Sequence, residues 1–153
     1  MDVKMINPFV DALSTIMPQL GFQSVKRGNM SVKDQYVNSL GVTIIVGMTM
    51  AVKGNIAYNM SEETAKQVAS TMMMGMPVTQ MDDMAQSAIS EMTNMVTANA
   101  ATNFEKMGLT VDISPPSLIV GPEFKAKVSN TKFLSIELLV DSLVIEMNIG
   151  LGT

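Results

Sequence analysis

Cysteine, histidine and tryptophan are all absent from this chain of 153 residues. Without cysteine there are no disulfides, no thiolate zinc sites and no thiol nucleophiles. Without histidine there is no imidazole base, no imidazole ligand and none of the usual catalytic triads. Any catalysis must therefore run on carboxylates, amides, hydroxyls or lysines. Positive charge is also in deficit: 10 Lys and Arg against 14 Asp and Glu give a formal charge of -4. That balance provides no electrostatic footprint for a nucleic-acid backbone or an anionic membrane. Long hydrophobic runs are missing too, the longest being broken by Thr and Gly, far below the ~18–20 apolar residues of a membrane span. The opening Met1-Asp2-Val3-Lys4 carries an acid and meets Pro8 before any apolar block, which is not the layout of a signal peptide. The expectation is a soluble, cytoplasmic protein with neither nucleic acid nor membrane as partner.

What the chain does have is 47% hydrophobic and 16% charged side chains, the composition of a globular domain able to bury a core. No low-complexity segment or linker divides it, so residues 1–153 are read as a single domain. Methionine is abundant, with 17 Met against five Phe and two Tyr, so thioethers take over core filling that aromatics normally do. Met72-Met73-Met74 and Met76 suggest a methionine-rich partner groove, but core packing is the reading that most methionine spacings favour.

Asn7 before Pro8 reads as an N-cap ahead of a first-turn proline, and Phe9, Leu13, Ile16 and Leu20 follow at helical spacing until Pro18 and Gly21. Residues 22–32 alternate as a strand with a turn at Gly28-Asn29. The β-branched run Val42–Val46 and the alternating Ile56, Tyr58 and Met60 flank a turn signal at Lys53-Gly54-Asn55 and form a hairpin. Ser61-Glu62-Glu63 starts a second helix whose core side is Ala65, Val68, Ala69 and Met72, closed by Gly75 and Pro77. Asp82-Asp83 introduces the longest periodic segment, residues 81–107, ended by Gly108. Strands are expected at 109–113, 117–120, 124–128, 133–140 and 143–149. The fold class is α+β, a mostly antiparallel sheet covered by helices.

On a wheel of ~100° per residue, Met81, Met84, Ala85, Ala88, Met92, Met95, Val96 and Asn99 form the expected core stripe of the long helix. Ser87, Glu91, Asn94 and Ala98 form a second stripe about 120° away, stacked at i, i+4 and i+7 spacing. A carboxylate and a carboxamide thus point outward together, among small residues that let another surface approach. By spacing alone, an ordinary solvated helix face explains this pair as well as a catalytic site does.

The segment Ser87-Ala88-Ile89-Ser90-Glu91-Met92-Thr93-Asn94, continued by Asn99-Ala100-Ala101-Thr102, resembles the signature of the CheC, CheX and FliY chemotaxis phosphatases. That pattern is a Ser or Asp, a Glu four residues later, an Asn three after that, and a proline a little over twenty residues downstream. Pro115 and Pro116 stand in about that place, one or two residues short of the family's spacing. CheC-like members carry the pattern twice, whereas the first helix here has Asp11, Thr15 and Pro18 instead of the acid and amide. One site in a chain of this length resembles the CheX type, and the order of elements agrees with a CheX-like α/β sandwich. The resemblance implies a substrate, the phosphorylated CheY-type receiver domain, whose aspartyl phosphate is hydrolysed. It implies that Asn94 orients the attacking water and Glu91 pairs with the receiver lysine, with Ser87 and Ala98 in supporting places. It implies no cofactor or metal on this chain, Mg²⁺ belonging to the receiver, and it implies a homodimer, with strands 133–149 as the edges that would continue a sheet across a two-fold axis.

Other polar residues have plainer readings. Asn99 and Asn103 lie on or beside the core stripe and suit amides bonded to backbone. Asp82 and Asp83 are helix-start acids rather than a metal pair. Lys125 and Lys127 share a strand face and suit a solvated edge. The competing function is a non-catalytic receiver-binding or flagellar-switch-like adaptor using the same surface.

Overall fold

The computed structural model describes residues 3–153; Met1 and Asp2, which open the segment weighed above as a signal peptide, lie outside them. A short 3-10 helix, Val3–Met5, leads into α1 (Asn7–Gln19). There follow β1 (Val25–Asn38), β2 (Gly41–Met50), β3 (Lys53–Ser61), α2 (Glu62–Met72) and α3 (Asp83–Lys106). The last third is β4 (Val111–Ile113), β5 (Ser117–Gly121), β6 (Lys125–Val140) and β7 (Leu143–Gly152). All pairings are antiparallel, in the order β1-β6-β7-β3-β2-β4, and β5 shares the β2 edge with β4. The α+β expectation, a mostly antiparallel sheet under helices, is what forms.

Strand periodicity sends alternate residues to opposite faces. Ile44, Val46 and Met48 of β2, Ile56, Tyr58 and Met60 of β3, and Ile145, Met147 and Ile149 of β7 join α1, α2 and α3 in the main core. Methionine fills that core as expected, with Met5, Met17, Met48, Met60, Met81, Met92 and Met147 buried. Met74 instead stands 97% exposed in the α2–α3 connection. On the opposite face Ala57 packs with Val37, Ala126, Val128 and Phe133, and with half-buried Ile45. The end of β1 and the start of β6 therefore fold across the back of β2 and β3. Asn59 is sealed beneath them, bonding the Asn38 carbonyl at 2.8 Å and accepting from the Leu40 N–H at 3.0 Å.

Several local expectations are corrected. Asn7 is the first helical residue after Ile6 rather than the cap, and its carboxamide accepts a hydrogen bond from Arg27 at 2.7 Å. Gly28-Asn29 is not a turn: β1 runs through it with a register shift between Arg27 and Met30. The hairpin turns at Ala51-Val52, and Gly54 sits inside β3 with φ +140°. A Cβ there would collide with the Gly150 carbonyl, so this glycine serves a close strand approach. The strands expected at 124–128 and 133–140 are one strand, β6, which begins at Lys125. Strands 133–149 are interior, since β6 lies between β1 and β7, and β7 lies between β6 and β3. The sheet's free edges are β1 at one side and the β4/β5 line at the other.

Candidate functional site

Helix α3 carries the candidate residues, so its rotation decides what they face. Asp82 caps it, accepting the Ala85 N–H at 2.9 Å, which uses this acid in the way its position suggested. Phe104 meets Phe9 of α1 edge-on at 5.9 Å between ring centroids, a pair worth about 1 kcal/mol that fixes the helix end. Asn103 donates to the Pro8 carbonyl at 2.9 Å, as a backbone-bonding amide, and half-buried Asn99 lies within 3.5 Å of it.

The buried stripe is Ala85, Ile89, Met92, Thr93, Val96, Thr97, Ala100 and Phe104. Its centre is rotated roughly 90° from the expected one at 100° per residue. Met84 is consequently 63% exposed, while Ala88 and Met95 are only partly buried at the core margin. The cause is chemical. Two threonines occupy the core side because each hydroxyl is satisfied locally, Thr93 by the Ser90 carbonyl and Thr97 by the Thr93 carbonyl at 2.7 Å. The Thr97 oxygen in turn lies 2.6 Å from the Tyr58 hydroxyl of β3. With its own proton committed to Thr93, Thr97 accepts from Tyr58. Burial pushes the Tyr58 phenol well above its ordinary pKa.

This buried bond locks α3 to the sheet on the side away from the candidate residues. Tyr58→Phe is expected to lower stability by about 1 kcal/mol, read as a urea midpoint, while leaving the exposed flank intact. The tyrosine's folded pKa lies above its unfolded one, so its contribution is full below the ordinary phenol range. Above that range the unfolded chain ionises first and the contribution falls. An unchanged midpoint in the variant would show that the bond does not hold the helix.

With the helix so rotated, the stripe of Ser87, Glu91, Asn94 and Ala98 points almost directly away from the core. Glu91, Ser87 and Ala98 are exposed and Asn94 is half-buried. A groove of about 490 Å³ runs beside them, lined by Ser87, Ser90, Glu91 and Asn94 on α3 and by Ile113, Ser114, Pro115 and Pro116 opposite. The structure thus brings Ser87, Glu91, Asn94 and the proline pair together, and leaves Ala98 outside the lining, one helical turn beyond Asn94. Ser87 makes no hydrogen bond to Glu91 among the described residues. Ser90 entered the sequence reading only as a small neighbour within the motif segment, and Ser114 did not enter it; a serine directly before a Pro-Pro pair was the available signal for the second.

Lys125 and Lys127 are both exposed on β6, and Lys127 borders a separate cavity of about 810 Å³ with Lys53 and Lys132. Among the described residues no three acidic side chains gather as a metal site, and no helix is long and apolar enough to cross a membrane.

An antiparallel sheet under three helices, with a carboxylate and a carboxamide on the outer flank of the longest, is the architecture of a recognisable class. The family model described as chemotaxis phosphatase CheX matches residues 42–139, which include all of α2 and α3. The CheY-P phosphatase CheX of Thermotoga maritima is 34% identical over 128 residues, covering 83% of this chain and 82% of that one. A CheC-like superfamily protein from Shewanella sp. PV-4 superposes with a TM-score of 0.87 at 22% identity, over 100% of both chains. The CheX–CheY–BeF3–Mg²⁺ complex from Borrelia burgdorferi gives a TM-score of 0.77 at 27% identity, over 99% of this chain and 100% of that one. The chain belongs to the CheX family.

Proposed function

We propose that this protein hydrolyses the aspartyl phosphate of a CheY-type receiver domain, with Asn94 positioning the attacking water and Glu91 pairing with the receiver's lysine. The observation that carries the reading is the outward pairing of Glu91 and Asn94 along a groove that a receiver loop can enter. The curated relative from Thermotoga maritima, named a CheY-P phosphatase, and the Borrelia burgdorferi complex of CheX with CheY support the choice of substrate.

The chemistry suits a chain without histidine. An acyl phosphate already has a good leaving group and sits beside the receiver's own Mg²⁺, so no base or metal is required from the phosphatase. Water oxygen bonds to phosphorus as the bond from phosphorus to the aspartyl oxygen breaks, releasing inorganic phosphate and the free carboxylate. What the enzyme must supply is alignment of one water with that bond, which a carboxamide does as donor and acceptor together. Ser87 is not hydrogen-bonded to a base that would make it a nucleophile and is assigned a supporting place on the groove rim. The same reading puts the protein in the cytoplasm, with residues 1–153 acting as one phosphatase domain. The test is phosphate release from a purified phosphorylated receiver in excess Mg²⁺, with and without this protein. Acceleration is expected; tight binding without acceleration would favour the adaptor.

A homodimer belongs to this reading as well, but through β1 rather than β6 and β7. β1 is a free edge over fourteen residues, with Met30, Val32 and Tyr36 exposed along it, and an edge of that length calls for cover. Sedimentation at micromolar concentration should give a dimer, and Val32→Pro should shift it to monomer. A wild-type monomer would remove the dimer without touching hydrolysis.

A further inference from the structure

The far wall of the groove is the short stretch between two ladders, and one residue ties it to the sheet between them. The outer edge of β2 is paired with β5 over Gly41–Ile45 and with β4 over Met48–Met50. At Gly47, between these two ladders, both backbone groups are taken by Ser114. The Ser114 N–H donates to the Gly47 carbonyl at 2.9 Å, and its hydroxyl oxygen accepts the Gly47 N–H at 2.8 Å. The hydroxyl proton goes forward to the Pro115 carbonyl at 3.3 Å. The serine is thus bonded through its amide and both roles of its hydroxyl, twice to the sheet edge and once to the peptide that follows. Gly47 leaves room for this: a Cβ there would stand 3.2 Å from the Ser114 oxygen.

Beyond the knot come Pro115 and Pro116, which face Glu91 and Asn94 across the groove. Prolines have fixed φ and no N–H, so this wall is stiff and offers no backbone donor. Every donor facing an incoming phosphoryl group then comes from the α3 side, from Asn94 and the serines. A stiff, donor-free wall guides a partner without competing for its phosphoryl oxygens, provided its distance from α3 is fixed. The β4 and β5 ladders hold the two ends of this stretch, and Ser114 ties the part between them.

We propose that Ser114 is a positioning residue for the receiver reaction, tying the Pro115-Pro116 wall to the β2 edge so that the groove is preformed for the phosphorylated receiver. This rests on the proposed hydrolase reading. The wall touches the partner and not the reacting atoms, so it binds ground state and transition state alike, and loosening it shows in KM rather than kcat.

Steady-state dephosphorylation of the receiver tests this with Ser114→Ala, Ser114→Thr and the double variant Pro115→Ala with Pro116→Ala. Ser114→Ala should raise KM roughly three- to tenfold, the scale of a lost hydrogen bond, with kcat within about twofold of wild type. Ser114→Thr keeps the hydroxyl and should restore KM. The double proline variant loosens the wall without touching the Gly47 bonds, so it should show the same split even if Ser114→Ala folds poorly. An unchanged KM in Ser114→Ala, or a fall in kcat that tracks thermal stability and is not rescued by threonine, overturns the proposal. Asn94→Ala serves as the separating control. If it is inactive while Ser114→Ala behaves as wild type, only the wall inference fails; if it is as fast as wild type, the hydrolase site itself is wrong.

Discussion

Asn94→Ala should lose on the order of a hundredfold or more in receiver dephosphorylation, the scale seen when a preorganised hydrogen-bonding group aimed at the reacting centre is removed. The loss should fall on kcat, because the amide acts mainly when water and phosphorus are in line, and the variant should still bind the phosphorylated receiver. Position supports the size of the effect. Asn94 is the half-buried member of its stripe, set into the groove, whereas Glu91 and Ser87 stand further out. Asn94→Asp separates geometry from chemistry: it keeps the shape but exchanges the amide donors for a negative charge facing phosphate, and it should be as poor as alanine. Activity at the wild-type level in Asn94→Ala would move the whole reading to the adaptor.

Glu91→Ala should give the second-largest effect and a different signature. An exposed carboxylate that meets a partner lysine only in the complex contributes to association, so its removal should weaken receiver binding about tenfold or more while also lowering the rate. Wild-type binding should weaken as salt is raised, and the variant's binding should depend less on salt, because one attractive charge pair has gone. Glu91→Gln keeps the size without the charge and should resemble alanine. Binding by either variant with wild-type affinity and wild-type salt dependence would show that Glu91 meets no lysine.

How legible these features were in the sequence differed for physical reasons. The bounds of α2 and α3 were plain because capping is local: Ser61 accepts the Thr64 N–H and Asp82 the Ala85 N–H, and both signals sit within one turn. The rotation of α3 was not local. Counting methionine as core and threonine as surface put Met84 inside, when Thr93 and Thr97 take the inner side through bonds to their own helix and to Tyr58. The outward stripe survived that error because it lay far enough from either estimate of the core. Gly54 misled for a related reason, since glycine marks both turns and close strand approaches, and only the neighbouring strand distinguishes them. The break expected between residues 128 and 133 came from the polar Ser129-Asn130-Thr131, which lie inside β6 where its ladder with β1 shifts register. Of the groove, spacing showed only that the α3 stripe points outward; its reading as a site, like the proline pair, came through resemblance to a family pattern. Ser114 depends on Gly47, 67 residues away in sequence, and no local pattern reveals such a partner.

The placement of β1 also bears on how the chain is made. Among the described residues its strand partner is β6, with Val25 opposite Val140 and Asn38 opposite Lys125, so the two halves of this ladder are about a hundred residues apart. During synthesis β1 leaves the ribosome with no strand to pair with, and stays so until nearly the whole chain has followed. A strand that waits that long in the open must not be sticky. The sequence of β1, with Lys26, Arg27, Lys33 and Asp34 spread among its few apolar residues, is suited to the wait. The Val42–Val46 run, far more apolar, reaches a neighbour almost at once, because β3 follows it directly. Between these two strands, the one that waits carries the charge and the one that pairs at once carries none.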